Sequence, residues 1–393
     1  MRRIGVMAVA VLGTALAAQV PAGGPYKVLN KFNVGGEGGW DYIYADTAGR
    51  RLYIPRGATR VVPATATTPA VPASGARITI FDLDTVAPLG EIPDTGGQGV
   101  AVCPNTGHGF ASSHPQVSMF DTKTEKLIKK IDVGNAQADG IYCDTYNDRV
   151  YVFSHPTRNA TVIDAKDGAV LGTIDLGGMP EQATADGKGT LYVVIQDQGS
   201  VAVVDVNAMK TTAHYPSGGN TGCNGLALDA RNQVLFAACS REGAMPARGE
   251  GPPPAPAPGA PPTTTMVILS AKDGAILDKL PLAGGSDGMQ FNPKTKEAFS
   301  TGGNGTLTIV KEDSPAKFEV EQDLDTMNGA RTIAFDSKTG RIFTMAQQYQ
   351  PLPPAPSNRP AGAASAGGTP PGARGRGRRQ AVPGSFTILM IGR

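Results

Sequence analysis

Short apolar runs that alternate with polar residues recur along most of the chain, and each run ends near a turn rich in Asp, Asn or Gly. Alternation with a period of two is typical of strands in a folded sheet. One run recurs as the third strand of a repeating unit, at 78–85, 117–124, 160–168, 201–208, 266–274, 307–314 and 386–393. The pattern therefore predicts an all-β protein built from seven copies of one unit.

A first strand precedes each of these copies and starts from a polar residue. These residues are Asp41, Gln98, Asp139, Glu181, Asn224, Asp287 and Arg331. The undisturbed steps between them are 41 to 44 residues, the length of four short strands with their turns. Because one four-stranded sheet cannot cover both of its own faces, we predict a seven-bladed β-propeller of four-stranded antiparallel blades.

The two ends of the chain complement each other. The chain ends after a third strand, which leaves the last blade without its outer strand, and segment 27–35 resembles the outer strand at 125–134. We predict that the N-terminal strand completes the last blade and hides the open edges of the ring. Residues 25–393 then form a single propeller domain.

Three segments lengthen the repeat, at 58–76, 243–264 and 350–384. All three are rich in Pro, Ala, Gly and Thr, so we expect them to be disordered. Each falls between a second and a third strand, which places all three on the face where the first strands begin. The last one carries a cluster of four arginines, Arg374, Arg376, Arg378 and Arg379. We interpret it as a solvated spacer, with contact to an anionic envelope polymer or nucleic acid as the alternative.

The N-terminus has the features of an export signal, which we place at residues 1–18. Arg2 and Arg3 precede an apolar run and an A-x-A-like site at 15–17. No other stretch approaches the roughly 18 apolar residues that a membrane span needs. The formal net charge is only +2, which argues against nucleic-acid binding. We expect a periplasmic or secreted monomer without a membrane span.

Four cysteines in an exported chain suggest disulfides. Cys223 and Cys239 flank one hairpin, so a cross-strand bridge near the start of the strands is expected. Cys103 and Cys143 end the first strands of adjacent blades, and a bridge between them is less favoured. Neither pair has the C-x-x-C spacing of a redox or zinc motif.

The repeats also resemble a known family. They share its Gly-rich turns, its second strands with a central Tyr and its third strands that end in Asp, which appear here at Tyr53, Tyr151, Tyr192, Asp164 and Asp205. Over residues 25–393 the chain resembles the YVTN-repeat, YncE-like β-propellers of bacterial envelopes. The resemblance implies seven blades and a binding role.

Propellers usually bind ligands at the mouth of the central channel, where the first strands begin. The seven polar residues at the starts of the first strands, together with Trp40, are therefore the predicted ligand-binding residues. Arg331 lies between Asp287 and Asp41 around the ring. It either neutralises their carboxylates or anchors an anionic group of a ligand.

A step of sixteen residues from each of these positions reaches the loop after the second strand. There the chain has His114, His155 and Asp197 in three consecutive blades. Imidazole and carboxylate groups suit a divalent metal, with Asp139 and Glu181 just inside them. Loop histidines with ordinary hydrogen-bond partners are the alternative.

The chemistry is less defined than the fold, because the chain has no H-E-x-x-H, P-loop or C-x-x-C-H motif. We predict an exported, non-catalytic binding protein that recognises a small molecule or an envelope protein or polymer at the channel mouth. A metal-dependent, lactonase-like propeller hydrolase is one alternative. A scaffold whose insertions recruit partner proteins is another.

Overall fold

The computed structural model describes residues 23–61, 64, 70–134, 137–241, 264–350 and 381–393. The predicted export signal lies outside these residues. So do the central parts of the three insertions, on which the prediction of disorder rests. No helix in the described part of the chain is long and apolar enough to cross a membrane.

Twenty-eight strands form seven antiparallel sheets of four strands each within these residues. Blade 1 holds β2 (Tyr44–Asp46), β3 (Arg51–Arg56), β4 (Arg77–Asp82) and β5 (Pro88–Pro93). Blade 2 holds β6 (Val100–Cys103), β7 (His108–Ser113), β8 (Gln116–Asp121) and β9 (Lys126–Asp132). Blade 3 holds β10 (Ala138–Asp144), β11 (Arg149–Ser154), β12 (Asn159–Asp164) and β13 (Val170–Asp175).

The later blades repeat this order. Blade 4 holds β14 (Pro180–Ala185), β15 (Thr190–Ile195), β16 (Ser200–Asp205) and β17 (Lys210–Pro216). Blade 5 holds β18 (Asn220–Asp229), β19 (Val234–Arg241), β20 (Thr264–Ser270) and β21 (Ile276–Pro281). Blade 6 holds β22 (Ser286–Asn292), β23 (Glu297–Gly302), β24 (Thr306–Ser314) and β25 (Lys317–Asp325). Blade 7 holds β26 (Ala334–Asp336), β27 (Arg341–Ala346), β28 (Thr387–Gly392) and β1 (Lys27–Asn33).

The predicted fold and its closure are confirmed. β1 pairs antiparallel with β28 from Lys27 opposite Gly392 to Asn33 opposite Thr387, so the N-terminal strand is the outer strand of the last blade. The side chain of Tyr26 extends this junction, because its hydroxyl donates to Glu297 of blade 6 at 2.5 Å. The C-terminal Arg393 pairs with the same carboxylate.

The core lies between blades, and the second strands show why the repeat needs neighbours. Along β11, Val150 and Val152 pack against blade 2, whereas Tyr151 and Phe153 pack against blade 4. All four side chains are buried. Because alternate residues of a strand point to opposite faces, an apolar run of this kind requires a sheet on each side.

The insertions connect β3 to β4, β19 to β20 and β27 to β28. Two of them are pinned at their bases by single bridges, between Thr59 and Ser74 and between Tyr349 and Ala381. Glu37 joins these bases, since its carboxylate accepts from the Gly384 amide at 3.0 Å and its backbone carbonyl accepts from Arg77 at 3.1 Å. The bases of two insertions thus lie together beside blades 1 and 7.

Both cysteine pairs form disulfides. The bridge between Cys223 and Cys239 joins neighbouring strands of blade 5, as expected. The bridge between Cys103 and Cys143 joins β6 to β10, and the expectation against it was wrong. The first strands converge on the channel axis, which brings these two Cα atoms to 5.7 Å, a normal disulfide separation.

A second fastening joins blade 1 to blade 7 on the face opposite the channel mouth. Both terminal nitrogens of Arg50 donate to the Asp336 carboxylate, at 2.9 and 2.8 Å, and Arg50 also pairs with Asp84 at 2.6 Å. The Asp336 side chain is fully buried. Burial alone would raise the pKa of Asp336, but the bonds from Arg50 and Thr339 outweigh it and lower the pKa to about 2.

We expect loss of the bridge between blades 2 and 3 to destabilise the protein. Replacing Cys103 and Cys143 together by serine should lower the free energy of unfolding by about 3 to 4 kcal/mol, since the bridge closes a loop of about 40 residues. Denaturant titration measures the loss. Reduction of the wild type should lower stability at least as far, and equal stability of the oxidised wild type and the double variant would contradict the prediction.

We expect the buried ion pair to make stability depend on acid. The pKa of Asp336 is lower in the folded state than the ordinary 3.8, so its contribution is complete above about pH 4 and is lost as pH falls toward 2. Asp336→Asn should therefore cost about 2 to 3 kcal/mol near pH 7 and progressively less below pH 4. Urea titrations at several pH values test this, and a cost that does not change with pH would contradict it.

Candidate functional site

A network of hydrogen-bonded polar groups links blades 1, 4, 5, 6 and 7 at the channel mouth. The Tyr42 hydroxyl of blade 1 reaches across the channel and donates to Oε2 of Glu181 in blade 4 at 2.7 Å. Nε2 of Gln196 donates to Oε1 of Glu181 at 2.8 Å and to Oδ1 of Asn224 at 2.9 Å. The bonds from Tyr42 and Gln196, one to each carboxylate oxygen, hold Glu181 in one orientation.

The hydrogen-bond network continues through blades 5 to 7 and returns to blade 1. Asn224 donates to Asp287 at 3.5 Å, and Arg331 donates to the other oxygen of Asp287 at 2.8 Å. Arg331 also donates to the backbone carbonyl of Trp40 at 3.1 Å. The Trp40 ring itself is only 5% exposed and packs edge-on against Phe386, so it belongs to the core.

Three potential metal ligands converge on one side of this mouth. Nε2 of His155 lies 3.3 Å from Oε1 of Glu181 and 3.8 Å from Oδ2 of Asp139. Their ligand atoms all lie within 4.8 Å of one another, and no other such group of His, Cys, Asp and Glu occurs among the described residues. Blade 3 supplies Asp139 and His155, and blade 4 supplies Glu181.

The mouth concentrates negative charge. Burial raises the pKa of Asp41 well above its usual range; Arg331 opposes this shift, while Asp287, Asp139 and Glu181 add to it. Burial likewise raises the pKa of Asp287 against the effect of Arg331. Carboxyl groups with raised pKa values resist ionisation until a cation approaches.

The negative charge of the mouth also affects His155. The Glu181 carboxylate beside it raises the pKa of its imidazole, although burial acts in the opposite direction. A ring that is partly removed from water thus sits between two acidic groups. That setting stabilises a positive charge, whether it is a proton or a bound cation.

Two of the predicted metal ligands lie apart from this group. Nε2 of His114 contacts the side-chain amide of Gln98 at 3.1 Å. Asp197 accepts from the Met179 amide at 2.8 Å and pairs with Arg158 at 3.4 Å. The structure therefore brings His155 together with Asp139 and Glu181 rather than with His114 and Asp197.

For Asp197 the reason is a difference of one residue in hairpin length. In blade 3 the hairpin between the first two strands closes across 144–149, whereas in blade 4 it closes across 186–190. The position that matches His155 is therefore Gln196, and a fixed step of sixteen residues selects Asp197 instead. Gln196 was missed for this reason, although it directly follows the second strand.

Gln182 was also missed, because a single polar residue in a first strand carries no obvious signal. Its Oε1 accepts from the Leu226 amide at 3.0 Å and the Met289 amide at 2.8 Å. Its Nε2 donates to the Met289 carbonyl at 2.8 Å. Gln182 thus ties blade 4 to blades 5 and 6 inside the channel.

A cavity of about 380 Å³ occupies the channel below the mouth. Tyr42, Glu181 and Gln182 line its polar part, and Tyr142, Met289 and Phe291 contribute to its more apolar walls. The volume falls in the lower range of small-molecule pockets. The mouth is therefore the polar end of a partly apolar channel.

Comparison with known proteins supports the fold class. No family model matches the chain, and no curated protein matches it. Among solved structures, the WD40 repeats of RRP9 align with a TM-score of 0.64 at 10% identity, over 95% of this chain and 99% of that one. U3-55K aligns with a TM-score of 0.61 at 9% identity, over 93% and 98%.

A third solved structure, of the Mitotic Checkpoint Complex, aligns with a TM-score of 0.61 at 10% identity, over 88% of this chain and 95% of that one. At these identities the likeness concerns the fold alone. The protein is a seven-bladed β-propeller whose structural neighbours include WD40 propellers.

We expect Gln182 to stabilise the channel through both ends of its amide. Gln182→Leu removes all three bonds and should lower the free energy of unfolding by about 2 to 3 kcal/mol. Gln182→Glu keeps an acceptor for the two amides but loses the donor to Met289 and adds a carboxylate beside Glu181. Denaturant titration of both variants tests this, and a Leu variant as stable as the wild type would contradict it.

Proposed function

We propose that this protein is a non-catalytic binding propeller that takes a cationic ligand at the mouth of its channel. The observation that carries the proposal is the convergence of four carboxyl groups with a single guanidinium among the ring residues. The acids are Asp41, Asp139, Glu181 and Asp287, and Arg331 is paired with the last of them.

The arrangement of the acids supports a cation rather than an anion. Arg331 already donates to Asp287 and to the Trp40 carbonyl, so its donors face the protein. Glu181 is oriented by Tyr42 and Gln196, which lowers the cost of ordering it when a ligand binds. An approaching cation meets oriented acceptors and relieves their mutual repulsion.

Further features support an exported envelope protein of the YVTN-repeat, YncE-like kind. The two disulfides suit an oxidising compartment, and the N-terminal segment has the composition of an export signal. The recurrent Tyr of the second strands and Asp of the third strands are shared with that family. These features together support a periplasmic or secreted location.

Calorimetric titration with cations tests the proposed function. Zinc chloride, calcium chloride and 1,4-diaminobutane are suitable probes of different charge density and shape. We expect at least one to bind once per chain. The double variant Asp41→Asn/Glu181→Gln should weaken that binding at least about ten-fold, because each neutralised carboxylate removes attraction for the cation.

The double variant Asp167→Asn/Asp325→Asn is the matched control. Both acids are exposed and neither belongs to the seven ring residues, so this variant also removes two negative charges while those residues stay unchanged. It should leave binding unchanged. Absence of binding by all three probes, or equal weakening by the control and the mouth variant, would overturn the proposal.

A further inference from the structure

We infer that the cation is a divalent transition metal, bound by Asp139, His155 and Glu181 where blades 3 and 4 meet. This inference rests on the proposed function and names the ligand class of the same mouth. Of the metal ligands predicted from the sequence, it keeps His155 and replaces His114 and Asp197 by Asp139 and Glu181. The argument rests on spacing, on the surroundings of His155 and on the support of Glu181.

The spacing of the three side chains fits one small ion. Metal–ligand distances of about 2.0 to 2.2 Å in a tetrahedral site place neighbouring ligand atoms about 3.4 Å apart. The distances from Nε2 of His155 to the two carboxylates are 3.3 and 3.8 Å. Small side-chain adjustments would therefore complete the coordination without movement of the backbone.

Nε2 of His155 has the surroundings of a ligand atom. It is buried and makes no hydrogen bond of normal geometry within the described part of the chain, although Glu181 lies within ion-pair distance. A buried ring nitrogen without a hydrogen bond is unusual, because such groups are almost always satisfied. A metal ion between the nitrogen and the two carboxylates would give the nitrogen a partner at bonding distance in place of the long contact to Glu181.

Hydrogen bonds from neighbouring side chains already hold the Glu181 carboxylate in place. Oε2 accepts from Tyr42, while Oε1 faces His155 and accepts from Gln196. Metal-binding carboxylates are commonly held by outer hydrogen bonds of this kind, which fix their orientation and raise affinity. Tyr42 and Gln196 are therefore positioning residues for the site.

The ligand types and their exposure indicate the kind of ion. Imidazole with carboxylates suits zinc and similar transition metals, whereas calcium and magnesium prefer oxygen ligands alone. The side chains of His155, Asp139 and Glu181 remain 24%, 17% and 12% exposed. Three protein ligands at an open mouth leave a coordination position for water or for a group on a partner.

The test is zinc titration of the full-length, chelator-treated protein without a histidine tag. We expect one zinc ion per chain, and His155→Gln should lower the affinity at least about 100-fold, while circular dichroism reports whether the variant is folded. His214→Gln is the matched control, because His214 lies exposed on the outer strand β17. It should bind zinc as the wild type does.

Cobalt(II) provides a readout that needs no variant. Cobalt bound to one nitrogen and carboxylate oxygens in a four-coordinate site should give visible absorption bands, which added zinc removes. Octahedral cobalt spectra, or zinc binding that is equal in wild type and His155→Gln, would overturn the metal assignment.

Two negative results separate this inference from the proposed function. If zinc fails to bind while 1,4-diaminobutane or calcium binds and depends on Glu181, the metal assignment fails and the cation-binding function stands. If no probe binds, both fail. Zinc binding that depends on His155 supports both.

Discussion

The structure depends on closure of the ring, because every blade needs a neighbour on each side. Alternate residues of a second strand such as β11 pack into two different interfaces, so an open ring would expose apolar surface on both terminal sheets. Several contacts fasten blade 7, where the ring closes, to its neighbours. β1 completes blade 7 by pairing with β28, and Arg50 of blade 1 forms an ion pair with the buried Asp336 of blade 7. On the other side, Tyr26 donates a hydrogen bond to Glu297 of blade 6, and Arg393 forms an ion pair with the same carboxylate.

Closure also creates the mouth. Seven first strands begin at the same end of one narrow channel, so polar residues that are far apart in sequence are forced into contact there. Crowding these acids in a buried place disfavours their charged forms. Burial raises the pKa values of Asp41 and Asp287, and Arg331 opposes the shift. An ion-pair network that only neutralised charge would match the acids with an equal number of bases. This ring does not, and the excess of acid favours a cation-binding role over a purely structural one.

The sequence specifies the blades better than the site. Strand periodicity and the missing outer strand were sufficient to predict seven blades closed by the N-terminus, since both follow from backbone alternation and from the need to cover sheet edges. The site depends on smaller differences. One residue fewer in the hairpin of blade 4 puts Gln196 where a fixed step predicts Asp197. The Cys103–Cys143 bridge depends on how closely blades approach at the axis, which strand periodicity does not describe.

The position of the candidate ligands links binding to the architecture. Asp139 and His155 belong to blade 3 and Glu181 to blade 4, so a cation held by all three would add a link between two sheets that already meet through apolar packing and the Arg158–Asp197 ion pair. Tyr42 and Gln196 carry the contact from Glu181 to blades 1 and 5. Any ligand that binds only the folded ring stabilises it by mass action. A cation bound between blades 3 and 4 would stabilise the ring at a place where carboxylates repel one another. Relief of that repulsion would add to the affinity for the cation.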